Sequence, residues 1–174
     1  MKLVRWKRFT WDLKTLPTPA PKLDERYIVR PAFAEDQKTV SAILLSAFSL
    51  DSAWSDTGAA MREWLAAQIE TAFEREPAPA LVITHGQRII AASAINTDVD
   101  AETHLVTGPC VSMEYHNRGL GTALLYQTLA QLRQSGLAAA HGITKDNVAV
   151  AKFVYPKFGA TSVEYEFEPV PARA

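Results

Sequence analysis

A single cysteine, Cys110, stands in 174 residues. It cannot form an internal disulfide, and no Cys/His cluster has zinc spacing, so neither a cross-linked scaffold nor a zinc module is encoded. No apolar run approaches the length of a membrane span, and the basic start runs into Phe9-Thr10-Trp11-Asp12 without the apolar stretch of a signal peptide. Cytoplasmic residence without a membrane partner is the expectation. Excess charge is also missing: 18 Lys and Arg against 19 Asp and Glu leave −1, which provides no chain-wide positive field for nucleic acid. Internal repeats and low-complexity tracts are lacking too.

What is present, 48% hydrophobic and 21% charged residues, fits one globular domain with its own core. The charge is unevenly spread. Residues 1–22 hold Lys2, Arg5, Lys7, Arg8, Lys14 and Lys22 against Asp12, a net +5 that leaves −6 for residues 23–174. Leu16-Pro17-Thr18-Pro19-Ala20-Pro21 is stiff and extended, because each proline fixes φ and restricts its predecessor. The expected organisation is therefore a basic aromatic leader with a proline-rich linker over 1–22, followed by the main domain over 23–174. Leu3, Phe9, Trp11 and Leu13 share one strand parity, interrupted by Arg5 and Lys7. Packing against its own body is favoured for this leader over disorder or an arm for RNA or a second subunit.

In the body, Tyr27–Pro31 reads as a strand. Val40, Ile43, Leu44, Ala47 and Phe48 then recur at helical spacing within Ala34–Leu50. A second helix over about Ala59–Arg75 carries Met61, Trp64, Leu65, Ile69 and Ala72 on one stripe. Leu81–Thr84 and Arg88–Ile95 flank a glycine-bearing turn, the pattern of a hairpin. His104–Met113 reads as a strand made awkward by Gly108-Pro109. A helix Gly121–Ser135, a strand around Ala138–Ile143, a helix from about Asn147 and a strand Thr161–Glu168 complete the chain. In that last strand Val163, Tyr165 and Phe167 are expected to face inward. A meander followed by crossover helices predicts an α/β domain with a mixed, mainly antiparallel sheet flanked by helices.

The stretch Val111-Ser112-Met113-Glu114-Tyr115-His116-Asn117-Arg118-Gly119-Leu120-Gly121-Thr122 passes from strand through turn into an apolar helix. At such a junction backbone N–H groups lack intrahelical partners and the helix dipole adds positive potential, which suits phosphate oxygens. Gly119 and Gly121 permit close approach, Arg118 adds charge and Thr122 a hydroxyl. A tight turn that needs glycine for φ alone is the alternative. The pattern is not G-x-G-x-x-G, since Leu124 takes the third glycine's place, and no P-loop lysine follows.

His116-Asn117-Arg118-Gly119-Leu120-Gly121 closely resembles the Gln/Arg-x-x-Gly-x-Gly/Ala signature of the GNAT superfamily of acyl-CoA-dependent N-acetyltransferases. Asn147-Val148-Ala149-Val150-Ala151-Lys152-Phe153-Val154-Tyr155-Pro156-Lys157-Phe158-Gly159 is similar to its Asn-x-x-Ala-x-x-x-Tyr-x-x-x-Gly segment. The resemblance implies a sheet splayed between the fourth and fifth strands, with the pantetheine arm of acetyl-CoA as cosubstrate lying in the gap. It implies that Val111 and Met113 pair with pantetheine through their backbones, that amides from Asn117 to Thr122 cradle the pyrophosphate, and that Asn147 bonds pantetheine. It also places Tyr155 near the sulfur. His116 departs from the signature's Gln or Arg. The tyrosine stands eight residues after the asparagine rather than the family's usual seven, a rotation of about 100° in a regular helix. With Pro156 adjacent, this predicts a one-residue π-bulge around Lys152–Pro156.

The implied reaction is attack of a primary amine, on a small molecule or peptide, at the thioester carbonyl. Amides near Val111 and Ser112 are candidates to hold the oxyanion and Tyr155 to protonate the sulfur. For the base, His104 is weighed against a surface histidine at a strand end, which is favoured, and water relayed to bulk is sufficient. Cys110 reads as a small buried residue, with no partner spaced to activate it as a nucleophile. Asp98, Asp100 and Glu102 are either a cation-binding or a merely solvated loop. Phe48, Trp54, Trp64 and Phe73 are candidate pocket aromatics, with Trp54 preferred for substrate contact. A non-catalytic acyl-CoA-sensing or protein/RNA-binding module is the rival class, and a homodimer stays open.

Overall fold

The computed structural model describes residues 5–51 and 58–166. Trp54, Phe167 and Glu168 lie outside the described residues. Two sheets carry the fold. The first is four-stranded and antiparallel in the order β2 (Tyr27–Pro31), β3 (Ala80–His85), β4 (Arg88–Ala94), β5 (Cys110–Val111). The second has the order β6 (Ala139–Lys145), β1 (Trp6–Asp12), β7 (Thr161–Tyr165), again antiparallel throughout.

Alternation, reset in β4 by a bulge that leaves Ile90 as an extra residue opposite Ile83 and Thr84, decides which layer each strand residue serves. Ala80, Val82, Ala92 and Ala94 meet Val40 and Leu44 of α1 (Gln37–Leu50) and Leu65 and Ile69 of α2 (Gly58–Arg75). Leu81, Ile83, Ile90 and Ala91 meet Leu120 and Leu124 of α3 (Leu120–Gln134) in a separate cluster. The sheet is thus covered on both faces, which is why β3 and β4 read as nearly unbroken apolar runs.

The leader is the middle strand of the second sheet. Phe9, Trp11 and Leu13, at period two, are buried against Leu125, Leu129 and Tyr155. On the opposite face Arg8 Nε donates to the Glu102 carbonyl at 3.1 Å and Thr10 Oγ1 lies 2.9 Å from His141 Nδ1. The linker is packed as well: Leu16 is buried and the Tyr126 hydroxyl donates to the Pro17 carbonyl at 2.7 Å. The division at residue 22 therefore does not mark a detachable arm, because β1 pairs along both edges with β6 and β7.

Three expectations need correction. The strand over His104–Met113 shrinks to Cys110–Val111: Gly108 takes φ +67° and Pro109 lacks an N–H, so ladder pairing breaks there. The helix expected from Asn147 is a five-residue π turn, Val150–Val154. In β7 Val163 is 60% exposed, because this strand forms one edge of its sheet and no helix covers it among the described residues.

Candidate active site

The two sheets part between β5 and β6. Among the described residues they are bridged through Leu105, which pairs with Ile95 on one side and, in parallel sense, with Gly142 on the other. Past Leu105 the strands diverge and a cavity of about 1030 Å³ opens. One flank is residues 109–114 with His116, the other is Thr144 and Val148–Val150, and α1 residues close it over. Val111, Ser112, Met113 and His116 are thus on the wall, as is Phe48; Trp64 and Phe73 instead pack against the α1–α2 core.

One hydrogen bond fixes the direction of the backbone along β5. Ser112 N–H donates to the Ile90 carbonyl at 2.8 Å, so Ser112 has no amide to offer an oxyanion. Strand alternation turns the Val111 N–H and C=O the other way, into the split. There the His116 imidazole donates from Nε2 to the Val111 carbonyl at 2.7 Å.

The turn ahead of α3 is open. Asn117 and Gly119 both take left-handed φ, 63° and 75°, and Gly119 caps the helix. The first helical bond runs from Ala123 N–H to the Gly119 carbonyl at 3.1 Å, so the amides of Leu120, Gly121 and Thr122 precede the ladder and point outward. A Cβ added at Gly119 would meet nothing within 4 Å, and one at Gly121 only Val111 Cγ2 at 4.0 Å. The Leu120 side chain is buried in the α3 core, leaving that residue only its amide for a ligand. Arg118 is committed elsewhere: Nη1 donates to the Tyr27 hydroxyl at 3.0 Å, Nη2 to the Glu114 carbonyl at 3.3 Å, and the guanidinium lies over the Tyr115 ring. Its charge braces the turn.

The π turn is the distortion that the extra residue and Pro156 predict. Tyr155 N–H donates to the Val150 carbonyl, five residues back, at 2.8 Å. Asn147 sits exposed in the preceding turn, off the cavity wall. Tyr155 is swung between the sheets, 1% exposed, edge-on to Trp11 (5.2 Å between centroids) and Phe9 (5.3 Å). Its phenol oxygen abuts Gly108, where any Cβ would collide with it, next to the Pro109 and Cys110 that wall the cavity. Gly142 leaves room from the other side, where a Cβ would come within 3.3 Å of the Tyr155 ring. Burial pushes the phenol far above its usual range, so it stays protonated and acts as a donor. Burial likewise pushes the Cys110 thiol up to about 12, which removes it as a nucleophile.

His104 is buried, not a surface histidine. Its Nδ1 accepts from His141 N–H at 2.9 Å, which leaves Nε2–H to donate to the Asp98 carbonyl at 3.0 Å. Both nitrogens are engaged, and desolvation lowers its pKa. The ring therefore holds the 98–104 loop against β6 and is no base. Asp98, Asp100 and Glu102 lie off the cavity wall.

A residue that no motif pointed to joins the turn. Lys157 Nζ donates to Thr122 Oγ1 at 3.2 Å, a contact across 35 positions that neither local spacing nor periodicity encodes. No group of three or more His, Cys, Asp or Glu able to hold a metal occurs among the described residues, and no helix among them is long and apolar enough to cross a membrane.

The acetyltransferase (GNAT) family model matches residues 19–160. The chain belongs to that family. Among solved structures it is similar to a GCN5-related N-acetyltransferase from Sphaerobacter thermophilus, with 16% identity and a TM-score of 0.66, over 94% of this chain and 50% of that one. A GNAT-family acetyltransferase from Colwellia psychrerythraea matches with 16% identity and a TM-score of 0.65, over 93% and 54%. A glucosamine N-acetyltransferase region in a fungal multi-domain β-N-acetylglucosaminidase matches with 15% identity and a TM-score of 0.62, over 92% of this chain and 20% of that one. These likenesses show the fold, and the chain spans about half the length of the first two. No curated protein matches the sequence.

Proposed function

We propose that the protein transfers the acetyl group of acetyl-CoA to a primary amine, on a small molecule or peptide, by direct attack while both are bound. The observation that carries this is the unplugged corner at Gly119, where outward amides face the mouth of a split whose open edge is Val111. The residues fit an acyl-CoA cosubstrate. Amides from Asn117 to Thr122, with the Thr122 hydroxyl, receive the diphosphate. Val111 pairs with pantetheine at the end of β5 and Met113 from the turn that follows it, while Asn147, exposed and off the cavity wall, is assigned no contact with it. His116 already meets the Val111 carbonyl, which has a second lone pair for an incoming amide.

In the reaction a C–N bond forms and the C–S bond breaks. One proton leaves the acceptor nitrogen and one joins the sulfur. Val111 N–H is the amide directed at the developing oxyanion. The Tyr155 hydroxyl, held neutral by burial, donates toward the sulfur at Gly108–Cys110. With His104 engaged at both nitrogens, deprotonation of the acceptor falls to water at the cavity mouth.

The test is thiol release from acetyl-CoA across an amine panel, with acetyl gain read by mass spectrometry. Tyr155→Phe lowers turnover by about 10²-fold and leaves CoA affinity unchanged. Equal turnover removes Tyr155 from the reaction. The near-complete burial of Tyr155 favours one second reading, a module that binds acyl-CoA without turnover. Tight CoA binding with no thiol release against any amine would select it.

A further inference from the structure

We propose that Lys157 supplies the ammonium that pairs with the cosubstrate's diphosphate, and that Trp11, on the strand nearest the chain start, positions it. The inference rests on the acyl-CoA reading above and adds two residues to that site.

The electrostatics are the first argument. An exposed lysine ordinarily extends into water, yet Lys157 lays its ammonium on Thr122, in the first turn of α3. A cation beside the positive end of a helix is unfavourable by itself. The placement becomes favourable when an anion lies between the ammonium and the amides of Gly121 and Thr122, each donating to it. Arg118, the cation that sequence spacing offers, is turned to Tyr27, Glu114 and Tyr115.

The second argument is how firmly the backbone at 157 is held. Trp11 is fully buried, and its Nε1–H donates to the Lys157 carbonyl at 3.0 Å. Lys157 N–H donates to the Val154 carbonyl at 3.1 Å, and the chain reverses at once through Phe158 at φ 61°. The main chain is pinned on both sides while the side chain is free to reach α3. The indole bond thus connects β1, 146 positions away in sequence, to the mouth of the cosubstrate site.

Titration calorimetry with CoA and with dephospho-CoA, which keeps the diphosphate and lacks the 3′-phosphate, tests this on the full chain. Lys157→Met weakens both ligands about tenfold, with an unchanged urea midpoint because the side chain is exposed. A loss confined to CoA would assign the ammonium to the 3′-phosphate and overturn the proposal, as would no loss with either ligand. Trp11→Phe keeps a buried ring and removes the N–H donor. It weakens both ligands about threefold in the native background and adds nothing to Lys157→Met. An equal loss in both backgrounds makes Trp11 a packing residue only. Should the native protein bind neither ligand, the acyl-CoA reading itself fails, an outcome distinct from a native-like Lys157→Met.

Discussion

The two sheets are assembled from chain segments at very different separations. In the four-stranded sheet β3 and β4 are joined by a two-residue turn, and Ala91 and Ala92 reach β5 about twenty positions on. In the three-stranded sheet Trp6 pairs with Lys145 and Tyr165, so every neighbour of β1 is more than a hundred positions away. The near-neighbour sheet supplies one wall of the split, and the far-neighbour sheet holds the Tyr155 ring and fixes the Lys157 backbone through Trp11. The proposed reacting geometry therefore depends on the sheet whose closure carries the larger loop entropy.

The largest expected effect breaks that sheet alone. Trp11→Ala removes a fully buried indole and costs about 4 kcal/mol by urea unfolding. Hydrogen exchange then shows lost protection in β6 and β7 while β3 and β4 keep theirs. Equal loss in both would mean that the sheets open as one unit. Gly108→Ala comes next, at about 3 kcal/mol, because the new methyl meets the Tyr155 phenol and alanine resists the left-handed backbone. Its signature is a fall in thiol release greater than in CoA affinity; equal falls would place Gly108 in binding instead.

The smallest effect sharpens the contrast through pH. His104 and His141 stack at 5.3 Å beside Arg8, Thr10 and the Asp98 carbonyl, all around the second sheet. Desolvation lowers both, with His141 at about 4. Their folded-state pKa values lie below the unfolded value, so this contribution is complete above about pH 6.5 and is lost as pH falls from there toward 4. Over that window the unfolded chain takes up more protons than the folded one. His141→Asn flattens the urea midpoint against pH between 7 and 5; an unaltered slope would show that carboxylates alone set it.

The same contrast separates what the sequence discloses from what it withholds. Period-two and period-3.6 patterns disclose β2, the β3–β4 hairpin and the three helices, since each pattern is complete within its own segment. The glycine turn at 119 and the π turn before Tyr155 are legible too, one from residue type and the other from a single extra position beside a proline. The alternation of Phe9, Trp11 and Leu13 shows a strand but not its partners. His104 looks exposed until His141 and Asp98 close on it, and Lys157 has no local mark at all. Each of these misses turns on a partner far away in sequence: β6 and β7 for β1, His141 for His104 and Thr122 for Lys157.

The placing of β1 also bears on synthesis. Its residues leave the ribosome about 130 positions ahead of the first strand that can flank them, a wait of roughly 7–25 s at typical elongation rates. Through that interval Phe9 and Trp11 are apolar groups without their flanking strands, and a segment made before both of its neighbours is sheltered only after them.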